Sequence, residues 1–315
     1  MNQAFAKDVD EGLSASEKHL SSKYFYDEIG DGIFIEIMHM PEYYLTNAEL
    51  EIFQQQTEKI ILAFNQQPDT HFELIELGAG DGTKTKEILK KLIALNYTFD
   101  YIPVDISHHA LDDLQERLST ELADLSVKTR PGDYFEVLNS LRENNHPKII
   151  FFLGSNIGNL EDSIAKDFMC QLDEVLNSGD KVLLGTDLIK SKDIVLPAYN
   201  DAQGITARFN LNLLTRINRE LDADFKVDAF QHLCTYEASE GVVRSFLVSK
   251  EQQQVSVGRL NKKFNFNKGE RIHTETSRKY NDDILNQILE VTNIEIAHKF
   301  VDSNNLFADY ILNKK

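Results

Sequence analysis

The run Glu76-Leu-Gly-Ala-Gly-Asp-Gly-Thr83 constrains this chain more than any other segment. It follows Phe72-Glu-Leu-Ile-Glu-Leu77, a short apolar stretch with the composition of a buried strand. It precedes Thr83 to Leu95, where Ile88, Leu89, Leu92 and Ile93 recur at helical spacing. Glycines let the backbone turn sharply and come close to a ligand. The start of the following helix offers free N–H groups to an anion. Such loops serve several nucleotide-like ligands. This one lacks the GKS/T ending of a phosphate-binding P-loop. Thr83 stands where a dinucleotide fingerprint needs its third glycine, which weakens that reading.

The alternation continues downstream. Tyr101-Ile-Pro-Val-Asp105 reads as a second strand and Leu111 to Leu122 as a second helix. Lys148 to Leu153 is a further strand, Ile164 to Leu176 a helix, and Lys181 to Thr186 a strand again. Strand and helix in turn over this length predict a parallel, doubly wound α/β sheet. The pattern changes after about Lys190. Residues 199–219 look helical, and 229–265 look like short strands with polar turns. Ile294 to Val301 and Phe307 to Leu312 alternate around the turn Asp302-Ser-Asn-Asn305, which predicts a C-terminal antiparallel hairpin added to the sheet. Upstream, Ile52, Phe53, Ile60, Ile61 and Phe64 mark the buried face of a helix that Thr46 is expected to cap, with an acidic first turn at Glu49 and Glu51.

Bulk properties exclude several classes. A formal net charge of −18 disfavours nucleic acid and anionic membranes as partners. No stretch approaches the ~18 consecutive apolar residues of a membrane span. The start, Met1-Asn-Gln-Ala-Phe-Ala-Lys-Asp, is soon acidic and unlike a signal peptide. Cys170 and Cys234 stand far apart with no CxxC partner, so a reducing cytoplasm is expected. The histidines show no HExxH spacing, and no metal is expected.

Two further segments follow the glycine loop in order. Asp105 ends the second strand, where an acid can accept from both ribose hydroxyls; capping the next helix is its other reading, a role Ser107 could take. In Gly132-Asp133-Tyr134-Phe135, the carboxylate suits an adenine amino group and an aromatic ring its face, although an ordinary turn reads the same way.

Longer motifs carry a resemblance. They are Tyr24-Phe-Tyr-Asp27, Pro41-Glu-Tyr-Tyr-Leu-Thr46, Glu76-Leu-Gly-Ala-Gly80, Tyr101-Ile-Pro-Val-Asp105, Phe152-Leu-Gly-Ser-Asn-Ile-Gly-Asn159, Ala198-Tyr-Asn-Asp201 and His273-Thr-Glu-Thr-Ser-Arg-Lys-Tyr280. From about Lys23 onward the chain resembles the histidine-specific Nα-methyltransferases of ergothioneine biosynthesis, which use S-adenosylmethionine. The resemblance implies a class I, Rossmann-like methyltransferase domain over 51–190 together with 281–315. It implies a second, α+β substrate-binding domain over 1–50 together with 191–280.

The resemblance also implies roles. Tyr26, Phe34, Gly78, Lys84, Asp105, Asp133, Tyr134, Gly154 and Ser155 match cofactor-site positions. Tyr43, Asn159 and Tyr199 match the set that holds the substrate's amino and carboxylate groups. Glu275 and Ser277 match the pair that grips the imidazole. Two residues apart on an extended segment, they face one side, and a ring with two nitrogens needs two polar partners. Tyr26, Tyr43 and Asn159 are the candidates for orienting the amine, with Tyr26 or Tyr43 helping its proton leave.

Two departures stand out. Asn156 replaces the family's usual threonine in GSTIGN, and Ser245 replaces a methionine that lines the side-chain pocket. The expected reaction is methylation of the α-amino group of free L-histidine, up to the trimethylated betaine hercynine, by a cytoplasmic monomer. Ser245 keeps another amino acid open as acceptor, such as tryptophan or a modified histidine. A cofactor-binding protein without turnover is the remaining alternative.

Overall fold

The computed structural model describes residues 3–141 and 146–315. Along the chain come helices α1 (Gln3–Ser14), α2 (Glu28–Met38) and α3 (Tyr44–Phe64), strand β1 (Phe72–Leu77), α4 (Thr85–Ala94), β2 (Phe99–Asp105) and α5 (His108–Glu121). Two short strands, β3 (Ser126–Val127) and β4 (Arg130–Pro131), precede α6 (Tyr134–Ser140), β5 (Lys148–Phe152), α7 (Asp162–Val175) and β6 (Lys181–Asp187). Then follow α8 (Lys192–Tyr199), α9 (Ile205–Leu221), β7 (Phe230–Glu237), β8 (Val242–Ser249), β9 (Gln253–Val257), β10 (Lys262–Phe266) and β11 (Arg271–Arg278). The chain closes with α10 (Asp282–Leu289), β12 (Ile294–Val301) and β13 (Phe307–Lys314).

These elements form two compact units, each discontinuous in sequence. One comprises 1–44 and 190–277, the other 45–189 and 278–315.

The second unit is built on a sheet of order β12-β13-β6-β5-β1-β2-β3, with β4 also paired to β2. Strands β6, β5, β1 and β2 run parallel, and β13 joins β6 antiparallel. Each face packs its own core because successive side chains point to opposite sides. Ile75 and Leu77 lie with Phe168 and Leu172 of α7 and Ile288 of α10. Phe72 and Leu74 lie with Ile52, Phe53, Ile88 and Leu114 on the opposite face. This is the doubly wound sheet with a terminal hairpin that the alternation of apolar runs predicts. The antiparallel pairing of β13 with β12 runs from Val301↔Ala308 to Ile294↔Lys314.

The first unit carries a three-stranded sheet, β11-β8-β7, and the ribbon β10-β9. Its core joins Phe5, Val9 and Leu13 of α1 with Phe209, Leu213 and Ile217 of α9 and with Phe230, Leu247 and Ile272 of the strands. Asp27 ties the early segment to α9. Its carboxylate caps α2 through Gly30 N (2.8 Å) and meets Asn212 (2.9 Å) and Arg219 (2.6 Å). Burial works against that charge, yet the Arg219 and backbone hydrogen bonds hold its carboxyl below the usual range.

Two local expectations are corrected. The stretch 199–219 is not one helix: α8 ends at Tyr199 and α9 starts at Ile205. Asp201 makes the break by accepting from the N–H groups of Ile205 (2.9 Å) and Thr206 (2.8 Å), and Gly204 takes the left-handed conformation at φ 74. Nor does Thr46 cap α3, which already begins at Tyr44. Glu49 therefore belongs to the helix body and is fully buried rather than part of a solvated first turn.

Candidate functional site

In the second unit, the carboxyl ends of β1, β2 and β5 carry the expected cofactor residues. Gly78, directly after β1, has φ 74, a region that L side chains rarely adopt. A Cβ there would lie 2.6 Å from Asn156 Nδ2 and 2.7 Å from the Tyr134 hydroxyl. Glycine thus lets three segments close together: the loop after β1, the head of α6, and the turn after β5. Gly80, at φ 52, faces open space where a ligand can approach the backbone.

Asp105 ends β2 and reaches back to that loop. One oxygen accepts from Gly80 N (3.1 Å) and the other from Ser107 N (3.0 Å). Ser107, not Asp105, is the side chain that caps α5, by accepting from Ala110 N. Burial pushes the Asp105 carboxyl upward against these hydrogen bonds. A carboxylate has about four acceptor positions, so Asp105 can still receive ligand hydroxyls. Asp133 caps the short α6 through Phe135 N (3.0 Å). Tyr134 packs its ring edge-on to Phe152, with centroids 5.3 Å apart, and burial keeps its hydroxyl protonated.

The turn after β5 supplies the rest. Gly154 is left-handed at φ 67, and a Cβ there would sit 3.4 Å from the Lys84 ammonium. Ser155 is left-handed as well, at φ 58, and its buried hydroxyl accepts from Asp187 N (3.0 Å). That bond gives the Ser155 side chain a structural task at the end of β6. A single helical turn, Asn156–Asn159, ends with Asn159 exposed. Lys84, at the head of α4, pairs with Glu49. Burial opposes its charge, and the Glu49 carboxylate outweighs that and holds the lysine above its ordinary range.

Glu76, from the opening motif, points into the sheet's α3 side. It accepts from Thr85 (2.6 Å) and Tyr101 (2.5 Å), and burial pushes its carboxyl up to about 7. It fixes the strand and the helix on either side of the glycine loop.

The first unit gathers the remaining candidates. Tyr26 meets Phe34 edge-on at 5.6 Å, Phe34 meets Tyr43 at 6.4 Å, and Tyr43 meets Tyr199 at 6.5 Å. The Tyr199 hydroxyl is 2.9 Å from Ser277 Oγ. Ser277 and Glu275 both lie on β11. Ser245, fully buried on β8, donates to Glu275 Oε2 (3.1 Å). Tyr26, Phe34, Tyr43, Tyr199 and Ser277 therefore form one contiguous wall, with Glu275 and Ser245 on the same sheet. Tyr26 and Phe34, expected at the cofactor, belong to this wall, whereas Asn159, expected at the substrate, lies in the second unit.

Sequence reasoning missed Phe209, which packs on both Tyr26 and Phe34 at 5.8 Å. It missed Glu49 as well, although that residue shares a helical face with Ile52 and Phe53. Among the described residues, no group of three or more His, Cys, Asp or Glu side chains could hold a metal ion.

A doubly wound sheet with an antiparallel last strand, a glycine turn after β1 and an acid ending β2 defines a class I methyltransferase that uses S-adenosylmethionine. Within that class, the chain matches the model of the S-adenosylmethionine-dependent histidine-specific methyltransferases over residues 5–314 and belongs to that family. It is 34% identical over 300 residues to a histidine N-alpha-methyltransferase of Mycolicibacterium smegmatis, covering 95% of this chain and 92% of the relative. It is 36% identical to the histidine N-alpha-methyltransferase of Mycobacterium tuberculosis, over 88% of this chain and 84% of that one. The ergothioneine biosynthesis protein 1 of Schizosaccharomyces pombe is 28% identical over 94% of this chain, which spans 39% of that longer protein. The chain is thus an S-adenosylmethionine-dependent amino-acid methyltransferase.

Proposed function

We propose that this enzyme methylates the α-amino nitrogen of free L-histidine, up to the trimethylated product. The observation that carries the reading is the polar group at β11: Ser277 bonded to Tyr199, beside Glu275 bonded to Ser245. Glu275 accepts from one ring N–H, and Ser277, which can donate or accept, serves the other nitrogen. Tyr43, Tyr199 and Asn159 hold the amino and carboxylate groups. On the cofactor side we assign Gly78, Lys84, Asp105, Asp133, Tyr134, Gly154 and Ser155. Tyr26 and Phe34 shield the reacting methyl from water.

When bound, S-adenosylmethionine supplies an electrophilic methyl group on its sulfonium. The chain's own residues orient the acceptor. The α-amine must arrive deprotonated to offer its lone pair, and Tyr26 or Tyr43, directly or through water, passes the proton outward. Alignment of this kind is worth roughly 7–11 kcal/mol in favourable cases. Both residue sets come from one chain, which supports a monomeric enzyme. Two cysteines without a disulfide, Cys170 and Cys234, support a reducing cytoplasm. No helix among the described residues is long and apolar enough to cross a membrane.

The small Ser245 side chain favours a second reading, an acceptor with a larger or modified ring. One assay decides between them: enzyme, S-adenosylmethionine and a mixture of free amino acids, read by mass spectrometry. Mono-, di- and trimethylated histidine are expected. Methylation of another amino acid with histidine untouched overturns the reading.

A further inference from the structure

Two carboxylates converge behind Lys84 in the second unit. Asp309 stands directly opposite Gly185 in the β13–β6 register. Gly185 has no side chain, and the space above it is filled by carboxylates. A Cβ there would lie 3.1 Å from Asp309 Oδ1 and would collide with Glu49 Oε1. Glu49 and Asp309 are both fully buried. Glu49 is well supplied with donors: Gly154 N approaches both its oxygens (2.8 and 3.1 Å), and Lys84 pairs with it. Both Asp309 oxygens are buried without a hydrogen-bond partner among the described groups.

Charge counting then limits the protonation states. The charged groups facing Asp309 are Glu49 from α3 and Lys84 from the head of α4. Glu76 of β1 adds to the field at Lys84. Two ionised carboxylates against one lysine would leave a net buried negative charge, which is costly in a desolvated site. A protonated Asp309 gains a donor and has an acceptor beside it, so the convergence at Gly185 becomes attractive.

We infer that Asp309 keeps its proton and donates it to Glu49, so that Glu49 alone neutralises Lys84, and that this carboxyl pair positions the lysine to grip the carboxylate of the cofactor's amino-acid moiety. The inference rests on the assignment of Lys84 to the cofactor site. Glu49 and Asp309 act through the lysine and are positioning residues. Burial and the Glu49 charge together push the Asp309 carboxyl well above its ordinary range, in keeping with this arrangement.

The test has two readouts on the whole chain. With aspartate carboxyl carbons labelled by 13C, one resonance should stay at the protonated position at neutral pH and vanish in Asp309→Asn. If every aspartate resonance lies at the ionised position, the inference is wrong. Binding is then measured by calorimetry with S-adenosylhomocysteine and with 5′-methylthioadenosine, which lacks the amino-acid carboxylate. Asp309→Asn, neutral and still a donor, should bind both within about threefold of the parent. Glu49→Gln should lose about tenfold or more for S-adenosylhomocysteine and nothing for methylthioadenosine, the scale of a charged hydrogen bond. Lys84→Met should show the same selective loss, and it keeps the test alive if Glu49→Gln fails to fold. Equal losses for both ligands overturn the positioning role. Failure of the parent to bind either ligand instead sinks the cofactor assignment itself.

Discussion

Glu76 offers a stability experiment whose size follows from its surroundings. It is fully buried, accepts from Thr85 and Tyr101, and titrates near 7 rather than 4.5 because burial disfavours its charged form. A carboxyl raised in this way binds its proton more tightly in the folded chain than in the unfolded one. Its contribution to stability is complete below pH 4.5, declines as pH rises through about 7, and is gone above that. At about 1.4 kcal/mol per tenfold change in proton affinity, the whole effect is about 3 kcal/mol. Glu76→Gln keeps the shape and an acceptor but cannot ionise. Urea unfolding of parent and variant, followed by far-ultraviolet circular dichroism at pH 5 and pH 8.5, isolates the term. Other titrating groups cancel in the difference between the two proteins. That difference should move by about 3 kcal/mol in favour of the glutamine variant at the higher pH. Parallel pH profiles would refute the account, because they would mean that Glu76 titrates alike folded and unfolded.

Four further outcomes are expected. Gly78→Ala combines a left-handed backbone with a Cβ crowded by Asn156 and Tyr134; it should cost about 1–2 kcal/mol of stability and abolish S-adenosylhomocysteine binding in calorimetry. Glu275→Ala removes a polar contact worth about 1–3 kcal/mol and should lower kcat/KM for histidine accordingly; an unchanged preference for histidine in competition assays would remove the imidazole assignment. Tyr199→Phe deletes the hydroxyl bonded to Ser277 and should raise the KM for histidine about two- to tenfold, with cofactor affinity unchanged. Lys279→Met removes the ammonium that fully buried Asp187 meets at 2.8 Å and should destabilise the chain by about 3–5 kcal/mol in urea titrations.

The sheet was legible because its strands are buried on both faces and read as unbroken apolar runs; every residue of β5 is buried. The glycine loop was legible because its turn demands residues without side chains. The break between α8 and α9 was hidden by apolar periodicity on both sides of it, although Asp201 and Gly204 carried the stop and start signals. Glu49 and Asp309 were the least visible. An acid in an apolar pattern is read by default as facing water. Here Asp309 alternates with Phe307 and Ile311 on the core face of β13, and the space it needs is supplied by a missing side chain on another strand, Gly185. No local pattern encodes that kind of complementarity. The β11 pair was legible through the resemblance, since its spacing alone reads as an exposed polar strand; its hydrogen bonds with Tyr199 and Ser245 come from the fold.

The discontinuity of both units sets a schedule for synthesis. Lys18 and Glu270 meet at 2.7 Å across a separation of 252 residues. At about 5–20 residues per second, the early segment waits roughly 13 to 50 s for that partner to be made. Until β7 emerges, late in that interval, the apolar face of α1 (Phe5, Val9 and Leu13) has no strands of its own unit to cover it. The sheet of the other unit is completed only when β13, the last strand of the chain, brings Asp309. Nascent chains of this enzyme therefore expose adhesive surface for most of their time on the ribosome, and demand on holding chaperones is built into the order of the segments.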